Sequence, residues 1–93
     1  MKYVIAGTIS SEWVGHQTER VSSAKTKATE LGITFEGIYY TQGAYDFVDI
    51  VDATDEGAML AFSVWYARQG YGRISTMPAF DEAAMDAAIA KTG

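Results

Sequence analysis

Five side chains carry most of the chemistry on offer in this chain: His16, Tyr40, Phe47, Asp49 and Arg73. His16 is the single group whose ordinary pKa lies near neutrality, and its place in a loop suits a general base at the mouth of a cavity. The same residue also reads as a solvated loop histidine. Asp49 sits in the middle of the apolar run Phe47-Val48-Asp49-Ile50-Val51. A carboxylate buried there alone costs several kcal/mol, so it must pair with Arg73 or Lys2, meet a ligand, or face water at a sheet edge. Arg73 offers a guanidinium that Asp49 or a displacing anion can satisfy bidentately. Against direct pairing, an intervening strand would set the two roughly 10 Å apart at about 4.8 Å per strand step. Tyr40, with Tyr39, Tyr45, Tyr66 and Tyr71, either lines a cavity with hydroxyl donors or packs in a core or an oligomer interface, and Phe47 is an apolar candidate beside Tyr40.

Other chemistries are excluded by spacing or by composition. Asp46, Asp49, Asp52 and Asp55 recur every third residue. A strand alternates its faces every second residue, so this period scatters the carboxylates over both sides, and no metal site is expected. Asp46 is better placed to cap backbone amides beside a turn. Gly70-Tyr71-Gly72 lacks the strand-before, helix-after setting of a phosphate loop, so no nucleotide cofactor is expected. The absence of cysteine excludes disulfides and thiol catalysis and is compatible with a cytoplasmic home. A net charge of −5, with seven basic residues scattered along the chain, argues against duplex nucleic acid and anionic membranes as partners. The apolar run at the N-terminus is too short for a signal or spanning segment.

The elements that must position these residues are legible from period and punctuation. Lys2 to Ile9 reads as a first strand, apolar on both sides and therefore central. Ser10 to Gln17 is a loop carrying Trp13, Gly15 and His16. Thr18 is set to cap a helix whose stripe is Val21, Ala24, Ala28 and Leu31, and Gly32 ends it. Ile33 to Thr41 and Tyr45 to Asp52 form a hairpin around Gln42-Gly43-Ala44, where Gly43 can take the positive φ of a tight turn. With a two-residue loop, Tyr45 pairs with Gln42, Phe47 with Tyr40 and Asp49 with Ile38, while Val48 and Ile50 oppose Tyr39 and Gly37; a three-residue loop with a bulge would swap these partners. Thr54 is set to cap a second helix, Asp55 to Gln69, with Ala58, Ala61, Phe62 and Trp65 as its stripe. Tyr71 to Ala79 is a fourth strand, its Pro78 suited to an edge. A short helix, Glu82 to Ala90, closes the chain.

Ninety-three residues make one domain, 1–93, with a radius of gyration of roughly 12 Å if compact. The order βαββαβ plus a terminal helix closes through two right-handed crossovers into a ferredoxin-like α+β fold, an antiparallel sheet of strand order 4-1-3-2 with both crossover helices on one face. Tyr40, Phe47 and Ile38 are assigned to the opposite, free face. That face is too apolar for water, so a homodimer or larger homo-oligomer is expected to cover it. A ligand cavity is expected beyond it, gathering Tyr40, Phe47, Asp49 and Arg73 near the His16 loop and taking a small organic molecule.

Gly43-Ala44-Tyr45-Asp46 resembles the Gly-x-Tyr-Asp turn of the GYD domain family. The similarity runs through Glu19-Arg20-Val21, Leu31-Gly32, Gly37-Ile38-Tyr39, Thr41-Gln42-Gly43, Val48-Asp49-Ile50-Val51, Gln69-Gly70 and Arg73 to Phe80, about Tyr3 to Met85 in all. The segment around Trp13 and His16 is shorter than the family pattern, and Phe62, Trp65 and Tyr66 are bulkier. The resemblance implies a dimeric α+β barrel and carries over no catalytic residue set. Three functional classes follow: a small-molecule-binding homo-oligomer; a cofactor-independent monooxygenase or isomerase of the barrel group; and a structural or regulatory interaction module. The first is favoured here, because no convincing acid–base pair and no DNA-binding helical segment accompany the hairpin.

Overall fold

A computed structural model describes residues 1–93. The chain runs β1 (Lys2–Gly7), α1 (Gln17–Leu31), β2 (Ile33–Tyr40), β3 (Phe47–Ala53), α2 (Glu56–Arg68), β4 (Ile74–Pro78) and α3 (Glu82–Ala90). Its strands form one antiparallel sheet in the order β2-β3-β1-β4, the expected ferredoxin-like α+β arrangement. The core lies between one sheet face and two helices: Ala24 and Ala28 of α1 and Met59, Phe62 and Tyr66 of α2 pack on Tyr3, Ile5, Phe47 and Val51. No helix is long and apolar enough to cross a membrane.

Helix starts differ from expectation by one or two residues. The N-cap of α1 is His16, which makes no side-chain capping bond, so Thr18 falls inside the first turn. At the other end Gly32 takes the left-handed conformation, φ 79°, that closes a helix without a Cβ clash. Asp55 rather than Thr54 caps α2, its Oδ1 accepting from Ala58 N at 2.8 Å, and Asp81 caps α3 in the same way through Ala84 N. β4 begins only at Ile74, after Gly72 at φ 144°, and Tyr71 joins the core.

The hairpin has the expected register and a wider turn. Tyr40 faces Phe47, Tyr39 faces Val48, Ile38 faces Asp49 and Gly37 faces Ile50, with a bulge between Phe35 and Gly37. The ladder stops at Tyr40 and Phe47, so Tyr45 and Gln42 do not pair. Asp46 opens the turn by binding β1 instead: its N–H donates to Gly7 O at 2.8 Å, and its Oδ2 accepts from Ile9 N at 2.7 Å. Gly43 sits at φ 129°, inside the region that L side chains avoid.

One assignment is reversed. Phe47, Asp49 and Val51 are buried on the helix-covered face, where the Phe47 ring meets Tyr66 of α2 with centroids 6.1 Å apart. Phe47 and Asp49, with their cross-strand partners Tyr40 and Ile38, therefore belong to the side under the helices, not to the free face. Both sides of β3 are apolar, so alternation alone leaves the sign of the assignment open. The free face carries Val4, Ala6, Tyr39, Val48, Ile50 and Met77 by the same register, with Tyr39 63% and Met77 44% exposed. Its polar margin holds the ion pair Lys2 Nζ to Glu36 Oε1 at 3.0 Å.

The radius of gyration is 14.6 Å and the extents are 50 × 30 × 19 Å, longer than a compact chain of this length. The excess comes from α3, of which no residue is buried and whose Met85 and Ile89 are exposed together with the preceding Phe80.

Candidate functional site

Two charged side chains lie inside the layer between helices and sheet. Arg20, in the first turn of α1, is 4% exposed; Asp49, in the middle of β3, is 7% exposed. Arg20 stands four residues before Ala24 and eight before Ala28, so it shares their inward stripe, and the small alanines leave room for its long stem. Asp49 points inward because its i±2 neighbours Phe47 and Val51 do.

Arg20 is anchored on one side only. Its guanidinium carbon lies 5.1 Å from the centroid of the Phe47 ring, a cation–π contact, and its Nη1 donates to Tyr66 Oη at 3.3 Å. Tyr66 passes the chain on, its hydroxyl donating to Thr8 O at 3.4 Å. Arg20 Nε, Arg20 Nη2 and Asp49 Oδ1 are buried with no hydrogen-bond partner. Arg20 and Asp49 form no ion pair with each other. A buried polar group without a partner costs about 1–3 kcal/mol, and more when charged.

Arg20 and Asp49 line one cleft with Phe35, Ile38 and Tyr40 of β2, Phe47 of β3, Phe62 and Tyr66 of α2, Ile74 of β4 and Val21 and Lys25 of α1. The space in it that a water-sized molecule can reach is about 20 Å³, room for one water. Counted out through the solvent-open mouth, the space is about 390 Å³. A ring on Gly7's position would be impossible here: any Cβ at Gly7 would overlap the Phe47 ring, so the glycine is what lets Phe47 lie flat beneath Arg20.

Burial dominates the electrostatics. It pushes the Asp49 carboxyl up to about 6, with the positive charge of Arg20 pulling the other way. Burial likewise raises the Tyr66 phenol, against the opposing charge and hydrogen bond of Arg20, so Tyr66 stays neutral and able to donate. The cleft thus presents a permanent cation, a carboxyl able to change protonation near neutral pH, and a phenol, against an apolar wall.

Of the residues expected from sequence, Tyr40, Phe47 and Asp49 come together in this cleft. Arg73 and His16 do not. Arg73 is exposed at the start of β4 and borders a separate surface groove with Arg68, Ser63 and Val64. His16 is on the surface at the start of α1, its Nδ1 3.8 Å from Glu19 Oε1 and its ring edge-on to Trp13. The cation beside Asp49 is Arg20, and its signal was the i, i+4, i+8 spacing to Ala24 and Ala28. No three His, Cys, Asp or Glu side chains cluster as a metal-holding group. The family model of the GYD domain matches residues 6–89, nearly the whole chain. Comparison with curated proteins finds no match.

Proposed function

We propose, for a chain that belongs to the GYD domain family, that it is a small-molecule-binding homo-oligomer whose ligand sits under the helices between Arg20 and Asp49. The observation that carries this reading is the set of three buried, unpartnered polar atoms, Arg20 Nε, Arg20 Nη2 and Asp49 Oδ1, on a single aromatic-walled cleft. Folding alone gives no return for leaving them bare, whereas a ligand or ordered water supplying the missing partners does. The apolar free face of the sheet supports the oligomer, since Val4, Val48 and Ile50 are only half-covered by their own chain. Native mass spectrometry of gently purified protein, repeated on Arg20→Lys, tests the reading. A retained small molecule that the variant loses is the expected result; an empty wild-type protein that binds nothing across a fragment library would refute it.

Asp49 supports a second reading. A carboxyl held near 6 beside a fixed cation suits proton abstraction from a carbon next to a carbonyl. Asp49 would take the proton, Arg20 would hold the resulting enolate oxygen, and return of the proton to a different carbon would complete an isomerisation. Deuterium incorporation from D₂O into a bound carbonyl compound, abolished in Asp49→Asn, would move the protein into this class.

A further inference from the structure

We propose that the ligand of the Arg20–Asp49 cleft is a small carboxylic acid, its carboxylate held side-on by Nε and Nη2 of Arg20 and its apolar tail running out along Phe35, Ile38 and Tyr40. This rests on the small-molecule-binding reading of the same cleft and adds the chemical class.

The bare guanidinium nitrogens set the ligand class. Arg20 spends Nη1 on Tyr66 and its face on Phe47. What remains unpartnered is Nε together with Nη2. Those two N–H groups lie on one edge of the planar guanidinium and point the same way, the spacing that a carboxylate's two oxygens accept as parallel bonds. A neutral carbonyl satisfies one of them well and leaves the other without an equal partner. An ammonium group is repelled by the same edge. A phosphate dianion asks for more donors than one edge supplies and would sit against Asp49.

Charge at the mouth agrees. Lys25 stands at the rim, so a ligand entering the cleft passes one cation and ends on another. The walls beyond the polar end are apolar, Phe35, Ile38, Phe62 and Ile74 among them, which suits a hydrocarbon or aryl tail. The cleft has about 20 Å³ of water-accessible space, so it admits the polar end alone and the tail lies along its solvent-facing mouth.

Asp49 then makes binding depend on pH. The titratable and charged groups facing it across the cleft are Arg20 and Lys25 from α1, Tyr66 from α2 and Tyr40 from β2; β4 contributes only Ile74. A second negative charge in this cleft favours the protonated form of Asp49, so the acid binds with proton uptake and its affinity falls as pH rises past about 6.

The test is a set of amide NMR titrations of the full chain with phenylacetate, phenylacetamide and phenethylamine at pH 5.5 and pH 8. Phenylacetate is expected to shift the amides around Arg20, Phe47, Asp49 and Tyr66, and to bind about tenfold more weakly at pH 8. Asp49→Asn is expected to flatten that pH dependence. Arg20→Lys keeps the charge but loses the edge, and is expected to weaken phenylacetate about tenfold or more. Should Arg20→Lys not fold, the Asp49→Asn arm and the three-ligand comparison still decide. If the amide or the amine shifts the cleft residues as strongly as phenylacetate does, the carboxylate class is overturned while the binding site stands. If none of the three shifts them, both the class and the site fall.

Discussion

Asp49 is where the site and the stability of the molecule meet. Its carboxyl is pushed up to about 6 from an ordinary 3.8, chiefly by burial. The folded state therefore holds this proton to higher pH than the unfolded chain does. Below about pH 4 both states are protonated and Asp49 has no effect on the pH dependence. As pH rises from about 4 to 6 the unfolded chain ionises first, and folding loses stability through this residue; above 6 the loss is complete. Asp49→Asn stays neutral throughout, so it is expected to be more stable than the parent at pH 8, by something on the order of 2–3 kcal/mol. Thermal melts should show that gap closing as the pH falls to 4. An equal gap at both pH values, or a less stable variant at pH 8, would mean that Arg20 stabilises the charged carboxylate more than burial opposes it. The identity of Asp49 as a constrained carboxyl was legible in its apolar strand. Its partner was not, because an arginine between Glu19 and Val21 looks like one more surface charge until its spacing to Ala24 and Ala28 is counted.

At the scale of elements, period and punctuation located every strand and helix, while local bonds moved their ends. The hairpin is the clearest case. Its register from Tyr40–Phe47 to Gly37–Ile50 follows from the two-residue period and the turn glycine, yet the loop spans residues 41 to 46, with Asp46 bonded to Gly7 at the end of β1 and to Ile9 just beyond it. No local rule of turn chemistry contains a bond to a strand so distant in sequence. Gly43 nonetheless does what a turn glycine does. A Cβ there would meet nothing, so any cost of substitution is conformational, from φ 129°. Gly43→Val is expected to lose about 1–2 kcal/mol in chemical denaturation with an unchanged m-value. No loss would show that the turn relaxes to negative φ freely. Which side of β3 meets the helices was beyond the pattern, since Phe47 and Val51 on one side and Val48 and Ile50 on the other are all apolar. Only the helices decide it, through Arg20 and Tyr66 docking on Phe47.

The whole molecule leaves two apolar surfaces without cover. One is the free sheet face, a continuous sheet-wide patch from Tyr39 through Val48, Ala6, Ile50 and Val4 to Met77. The other is α3 with Phe80, 79% exposed, and Met85 and Ile89 beyond it. A nine-residue helix is too short to be stable in water on its own, so α3 is a second candidate contact between copies. Reversing the two sides of β3 exchanged the residues of the free face but not its apolar character, so any self-association is proposed to use the new residues. Association is therefore expected to be through Ile50 and its neighbours, leaving the Arg20–Asp49 cleft on the far side of each sheet. Light scattering at micromolar concentration should give at least twice the 10.1 kDa chain mass. Ile50→Lys places a charge at the centre of the patch without touching the core under the helices, so it is expected to yield a monomer with unchanged far-ultraviolet circular dichroism in the sheet and main helices. The cleft should still bind whatever it binds, because none of its walls faces the patch. A wild-type protein that scatters as a monomer would remove the oligomer outright. An Ile50→Lys variant that stays associated would move the contact from the sheet to α3, where Met85→Lys becomes the deciding substitution.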